Sequence, residues 1–328
     1  MKAKKIIAGV ALLGALALTA TGCAGGGGAA AGGNGGGDGV ITVGFAQTGS
    51  ESGWRSANTE SMKEAFSEAN GFNLVFNAAD NKPEAQIAAV RSFINQGVDA
   101  IVLAPIVTDG WDDVLQEAKD ANMPVILEDR TVSASKDLYA SWIGLDFKKE
   151  GETAGKWVAD NFGSAPTNLV VLEGTTGSSA ATDRASGFDS AIAGTDIKVL
   201  DSQTGNFTRA DGKTVMEGFL QKYGSQINVL FAHNDDMGLG ALEAIKAAGL
   251  KPGTDIKIVT IDAVKDGMTA LANGEFNYIV ECNPLLGEKT AEVVKKVVAG
   301  ESVDKSYIVE DQAFDQEQAK KVLDSRPY

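Results

Sequence analysis

The chain contains one histidine, His233, and two cysteines, Cys23 and Cys282, in 328 residues. A single imidazole excludes a multi-histidine metal centre, and two thiols this far apart in sequence build neither a zinc set nor a disulfide framework. His233, at the end of the apolar run "NVLFAHN" (228–234), reads as a packed strand residue rather than a base, and no metal or cofactor is expected. Phosphate-gripping "GxxxxGK[ST]" is absent, and "GLG" at 238–240 falls inside a helical pattern, where it serves close packing. The segment "GTTGSSAATDR" (174–184) lacks "GxSxG" and has no second histidine for a triad, so it reads as a loop entering a helix. No two carboxylates stand out as a general acid and base, and an enzyme is not expected. Basic residues are also scarce: 29 Lys and Arg face 44 Asp and Glu, a net charge of −15. That balance argues against nucleic acid as a partner and favours solubility outside the cell.

The N-terminus is a targeting segment. Lys2, Lys4 and Lys5 precede the apolar run Ile6 to Ala20, which reads as a secretory signal over 1–22 and not as a membrane span. The stretch "LTATGC" resembles a bacterial lipobox, with Ala20 where leucine is usual, so Cys23 is expected to carry lipid; an ordinary secretory cleavage site is the other reading. From 23 to 39 follows "CAGGGGAAAGGNGGGDG", a tract too poor in apolar surface to fold, as a flexible tether would be.

Past the tether, short β-rich runs alternate with helical stretches. They are "VITVGFA" (40–46), "LVFNA" (74–78), "DAIVLAPI" (99–106), "PVILEDR" (124–130) and "SWIGLD" (141–146). After a helix near 148–162 the pattern restarts with "NLVVLEG" (168–174), "IKVLDS" (197–202), "NVLFAHN" (228–234), "IKIVTID" (256–262) and "YIVECN" (278–283). Runs of Val, Ile and Leu with little polar alternation mark strands buried on both faces, so the fold class is α/β with two doubly wound parallel-sheet lobes. A helix near 286–299 and a strand "YIVEDQAF" (307–314) are expected to cross back over both. The expected division is 40–145 plus about 284–312 for the first lobe, and 146–283 plus about 313–328 for the second.

Open parallel sheets bind ligands at the carboxyl ends of their strands. Standing there are Gln47 to Arg55, Pro105 to Trp111 with Asp109 among them, and Asp129-Arg130. The second half supplies Glu173 to Thr176, Thr204 to Arg209, Asn234 to Asp236, Asp262, and Glu281 to Asn283. In "LEDR" an arginine fork beside a carboxylate can hold two neighbouring hydroxyls, or the pair can simply close the strand end; pattern alone does not separate these. Asn234 or Asp235 can cap the helix that follows, with Asp236 favoured by its dipole, which explains one polar residue of the three. Trp54 and Phe207 can cover the C–H face of a sugar ring, although Trp54 can equally anchor a helix start.

These residues resemble the periplasmic sugar-binding proteins of the ribose/galactose type, which deliver monosaccharides to ABC importers. The likeness runs from about residue 40 to the end, through "GSESGWRSAN", "DNKPEAQIAAVRSFINQGVDAIVLAPI", "GWDDVLQEAKDANMPVILEDR", "DRASGF", "HNDDMGLGALEAIKAAGLKPG" and "TIDAV". It is strongest toward the galactofuranose- and fructose-binding branch. The resemblance implies two lobes joined by three crossovers that close over one sugar. It implies ligand roles for Asp129, Arg130, Arg184, Asn234, Asp262, Phe207 and Trp54, with Arg55 a mark of the furanose-binding branch. Glu281 stands where ribose binders place glutamine, which shifts the expected ligand to a six-carbon furanose, fructose or galactofuranose. The implied partners are an ABC permease with its ATPase and, through Cys23, the outer face of the cell membrane, with the protein expected as a monomer. A receptor presenting its ligand to a sensor kinase is the alternative; a repressor would need a DNA-binding segment where the signal and tether stand.

Overall fold

The structure, a computed structural model, describes residues 39–328. The segment carrying the signal, Cys23 and the tether lies outside the described residues.

The first sheet is built from β1 (Ile41–Gln47), β2 (Phe72–Ala78), β3 (Ala100–Leu103), β4 (Val125–Asp129) and β5 (Ser141–Gly144). Between them run α1 (Gly53–Ala65), α2 (Pro83–Gln96) and α3 (Asp112–Asp120). The central β3 and β4 are buried at every residue, while β2 at the edge is only partly covered, which is why its sequence alternates more. Helices pack on both faces: Met62 and Phe66 belong with Val43 and Phe45 on one side, whereas Val90, Phe93, Val114 and Leu115 join Ile101 and Leu103 on the other.

The second sheet repeats the plan with α4 (Phe147–Phe162), β6 (Thr167–Glu173), α5 (Ser179–Ile192), β7 (Ile197–Thr204), α6 (Arg209–Tyr223) and β8 (Val229–Ala232). It continues through α7 (Asp235–Ala247), β9 (Lys257–Asp262), α8 (Lys265–Ala272) and β10 (Tyr278–Glu281). The helix α9 (Gly287–Val298) then returns to pack on α1, and β11 (Ser306–Ile308), β12 (Ala313–Phe314) and α10 (Gln316–Val322) follow.

Both sheets are six-stranded, ordered β2-β1-β3-β4-β5-β11 and β7-β6-β8-β9-β10-β12. All pairings are parallel except β10 with β12. The single strand expected over 307–314 is therefore two: β11 extends the first sheet beside β5, and after four residues β12 pairs with β10 in the second. Residues 309–312 between them are a third passage from sheet to sheet. The other passages are at 145–146 and 282–286.

Two helix pairs of the second lobe pack at backbone contact. A Cβ on Gly151 of α4 would lie 2.1 Å from the Arg184 carbonyl oxygen on α5, and one on Gly187 would lie 2.1 Å from that of Lys148. The expected packing role of "GLG" holds as well, since a Cβ on Gly240 would meet the Arg209 carbonyl oxygen at 2.0 Å. The α4–α5 approach places Arg184 over the strand ends, where it reaches the His233 carbonyl just past β8.

Candidate ligand-binding site

In each sheet the strand order reverses beside its first strand, and the crevice this leaves at the carboxyl ends is where open α/β sheets take ligands. The two crevices face one another across a small cavity. The first lobe contributes Glu51 and Ser52 from the loop after β1, Trp54 and Arg55 from the first turn of α1, and Asp129 and Arg130 at the end of β4. From the second come Phe147, Ala180, Arg184, Phe207, Asn234 and Asp262, with Cys282 just past β10.

Sequence reasoning thus located Trp54, Arg55, Asp129, Arg130, Arg184, Phe207, Asn234 and Asp262 around one space. Glu51, Ser52 and Cys282 fall within the strand-end stretches but were not singled out, and Phe147 and Ala180 were missed. Glu51 had a readable signal, since an acid four residues before Arg55 can reach it from the loop just ahead of α1, as the 3.1 Å pair shows. Phe147 had none, because nothing local tells the first residue of α4 from a core phenylalanine.

Asp109 does not join them. It sits exposed on the loop between β3 and α3, where its carboxylate accepts a 2.6 Å bond from the Ser133 hydroxyl. Glu281 does not join them either: its carboxylate accepts bonds from Arg326 Nη1 (2.6 Å), the Tyr328 hydroxyl (2.7 Å) and the Gln312 amide (3.1 Å). Successive side chains of a strand point to opposite faces, so Glu281 and Cys282 cannot both face the cavity from one extended stretch.

Backbone strain marks the wall. Asp129 has φ 60°, Phe207 φ 63° and Asp262 φ 129°, conformations that side-chain-bearing residues seldom adopt and that cluster at binding sites. The Phe207 ring occupies the space a side chain at 174 would need: a Cβ on Gly174 would fall 1.9 Å from Phe207 Cζ. Arg130 and Arg184 lie 5.1 and 5.9 Å from the Phe207 ring centroid, and Arg184 also lies 5.2 Å from that of Phe147.

Each charge in the wall has an opposite charge within 4 Å, but two polar atoms lack a hydrogen bond. Arg55 Nη2 donates to Asp129 at 2.6 Å, its Nε to Glu51 at 3.1 Å and its Nη1 to Asn58 at 3.4 Å, so every nitrogen has a protein acceptor. Arg55 therefore props the carboxylates rather than reaching out alone. Arg184 Nε donates to Glu150 at 2.7 Å and Nη1 to the His233 carbonyl at 2.6 Å. Burial lowers its pKa, but Glu150, with Cys282 and Asp262, outweighs this and holds it above the usual arginine value. His233 itself is buried and neutral, its pKa pushed down to about 3 by burial and by Arg184, as a packed residue should be.

Those two atoms are Arg130 Nε, whose nearest opposite charge is Asp129 Oδ2 at 3.7 Å, and Asp262 Oδ2, whose carboxyl lies 3.9 Å from Arg184 Nη2 through Oδ1; neither atom has a hydrogen-bond partner among the described residues. Burial, reinforced by Arg55, depresses the Arg130 pKa against the pull of Asp129 and Glu51. Burial also drives the Asp262 pKa well up, with Arg184 opposing and Asp235 and Asp236 adding to the rise. Buried polar groups normally find partners, so an unpartnered polar atom on each lobe points to a polar ligand between them.

Trp54 answers to both of its readings. Its ring packs within the main apolar cluster and also lines the cavity, and its indole N–H donates to the Cys282 carbonyl at 2.6 Å. The polar triplet after β8 divides its work. Asn234 caps α7 by accepting from the Met237 amide at 3.0 Å and donates to the Phe207 carbonyl at 3.0 Å; Asp235 accepts from the Val264 amide at 2.9 Å. Asp236 crosses between lobes and accepts from the Gly53 amide, at the N-terminus of α1, at 2.7 Å. The Thr108 amide to the Gly177 carbonyl (2.9 Å) and the Thr131 amide to Ser179 Oγ (3.1 Å) also bridge the lobes.

Two doubly wound lobes joined by three passages, closed by direct bonds over a small polar and aromatic cavity, define a solute-binding protein of the two-lobed kind. The model of the periplasmic binding protein domain matches residues 43–302, and the chain belongs to that family, in its type I, sugar-binding branch. It is 46% identical over 260 residues to the galactofuranose-binding protein YtfQ of Escherichia coli (strain K12), covering 78% of this chain and 81% of that one. It is 40% identical over 293 residues to the fructose import binding protein FruE of Bifidobacterium longum (strain NCC 2705), covering 88% of each. Among solved structures, a Mycobacterium smegmatis protein in complex with β-D-fucofuranose is 57% identical, with a TM-score of 0.86 over 88% of this chain and 96% of that one.

Proposed function

We propose that the chain is the sugar-binding component of an ABC importer and that it holds a monosaccharide in furanose form, fructose or galactofuranose, between its lobes. The observation that carries this reading is the pair of open valences, Arg130 Nε on the first lobe and Asp262 Oδ2 on the second, set among Trp54, Phe147 and Phe207. A sugar hydroxyl both donates and accepts, so one ring can satisfy both groups, while its C–H faces lie on the aromatic rings. Only a closed protein brings the two groups to one ligand, so binding favours the closed state by its differential contacts. The closed form is then what the permease and its ATPase receive. The names of the relatives support the ring form, since galactofuranose and fucofuranose are furanoses and fructose readily adopts one.

In this reading Cys23 carries the lipid that keeps the protein at the outer face of the membrane, and residues 24–39 are its leash. Among the described residues no helix is long and apolar enough to cross a membrane. Calorimetric titration with fructose, galactofuranose, ribose and xylose tests the proposal. Binding tighter than millimolar is expected for a furanose-forming hexose; a non-sugar binding where all four fail defeats it. Arg130→Ala is expected to abolish detectable binding with an unchanged circular dichroism spectrum, and unchanged affinity would mean that Arg130 merely closes β4.

A further inference from the structure

Arg326 lies beyond α10 and does not line the cavity, yet it touches the ends of two adjacent strands of the second sheet. Its Nη1 donates to Glu281, the last residue of β10, at 2.6 Å, and its Nη2 donates to the carbonyl of Ala263, directly after β9, at 2.8 Å. The side chain is 8% exposed, with its guanidinium 5.2 Å from the Phe314 ring centroid and 4.4 Å from that of Tyr328. Tyr328 adds a second donor to the same Glu281 oxygen at 2.7 Å. A planar fork spans two acceptors in this way, whereas a lysine reaches one.

What the fork holds is part of the candidate site. Asp262 and Ala263 are consecutive non-glycine residues with φ 129° and φ 62°, a turn that neither residue favours on its own. The turn is pinned from within the lobe, where Asp235 accepts from the Val264 amide, and from its outer side, where Arg326 takes the Ala263 carbonyl. The Asp262 carbonyl accepts from the Cys282 amide at 3.2 Å, and the Cys282 carbonyl in turn accepts the Trp54 indole at 2.6 Å. One guanidinium thus braces both the backbone that aims the Asp262 carboxylate and the start of the passage 282–286.

We propose that Arg326 is a positioning residue for ligand binding, fixing Asp262 through the Ala263 carbonyl and the second passage through Glu281. The inference rests on the sugar-binding reading for its ligand, and on geometry alone for the clamp. Two measurements on the full chain keep these apart. With D-fructose as the probe in calorimetry, Arg326→Met is expected to bind roughly 10- to 100-fold more weakly, the range for losing charge-assisted bonds. Arg326→Lys is expected to recover part of the loss, and Tyr328→Phe to cost less than Arg326→Met.

In the ligand-free protein, hydrogen exchange should quicken in Arg326→Met at the Ala263, Val264 and Cys282 amides and stay at wild-type rates in β6 and β8. Uniformly faster exchange, or unchanged exchange at the turn, overturns the proposal, as does an unaltered affinity for D-fructose. If the wild-type chain binds no sugar, the functional reading falls, and the exchange pattern by itself decides the clamp.

Discussion

Asp236→Ala removes a bond between lobes without touching the ligand cavity, and its effect can be worked from the geometry. Asp236 Oδ2 accepts from the Gly53 amide of the first lobe at 2.7 Å, while its Oδ1 pairs with Arg209 of its own lobe at 3.1 Å. Only the first of these differs between open and closed forms, because the Arg209 pair moves with the second lobe and cancels. Arg209 also keeps Asp266 at 3.0 Å, so no cation is stranded. A hydrogen bond to a charged acceptor contributes about 1.5–3 kcal/mol. The Asp236 side chain is 9% exposed, so solvent competes slightly and roughly 1–2 kcal/mol is taken. The closed state then loses about 5- to 30-fold in weight, and apparent affinity falls by that factor where the open form dominates without ligand.

Because the lost bond is blind to the ligand, every sugar should weaken by the same factor, leaving the ratio between fructose and ribose intact. The dissociation rate should rise more than the association rate falls, which stopped-flow tryptophan fluorescence reads. An affinity within twofold of wild type would refute the latch. A change in the sugar ratio as large as the change in affinity would place Asp236 in ligand recognition instead.

Stability should depend on pH through buried acids that stay neutral in the fold. Glu128 is pushed up to about 8 by burial and by Asp129, Asp235 to about 7 by burial, and Asp311 to about 8 by burial and Glu150. A raised folded pKa gives stability that is full below the unfolded value, 4.5 for Glu128, and is lost as pH rises toward 8. His233 works the other way, losing its contribution as pH falls from 6.5 toward about 3. The melting temperature should therefore be higher near pH 6 than at pH 8.5, and Glu128→Gln, which keeps an acceptor for Asn58, should flatten the alkaline arm; a midpoint that holds or rises at pH 8.5 contradicts this. For the anchor, the intact mass of Cys23-bearing protein extracted from membranes should include acyl chains, and Cys23→Ala should leave the chain in the soluble fraction; an unmodified Cys23 would leave only a secretory signal.

What sequence reveals here follows a physical division. Parallel strands buried on both faces advertise themselves as unbroken Val, Ile and Leu runs, so both sheets and the strand ends could be placed along the chain. Strand ends in turn narrow the candidate site: Asp129, Arg130, Asp262 and Phe207 stand at or just past them and all line the cavity, although Phe207 also packs in the main apolar cluster. A strand end does not say which way its last side chain points. Glu281 follows Val280 and precedes Cys282 in one extended run, and the half that turned from the cavity was settled by Arg326 and Tyr328, more than 40 residues on.

Asp109 failed for the same reason, since a loop that reaches the right edge of the sheet can still turn its carboxylate to solvent and Ser133. The triplet Asn234-Asp235-Asp236 shows the limit most clearly. Capping accounted for one residue from local pattern; the other two depended on the turn after β9 and on the amide of Gly53, 183 positions away. Adjacent polar residues were thereby sorted into a cap, a buried brace and a latch between lobes, the last two by partners that no local pattern contains.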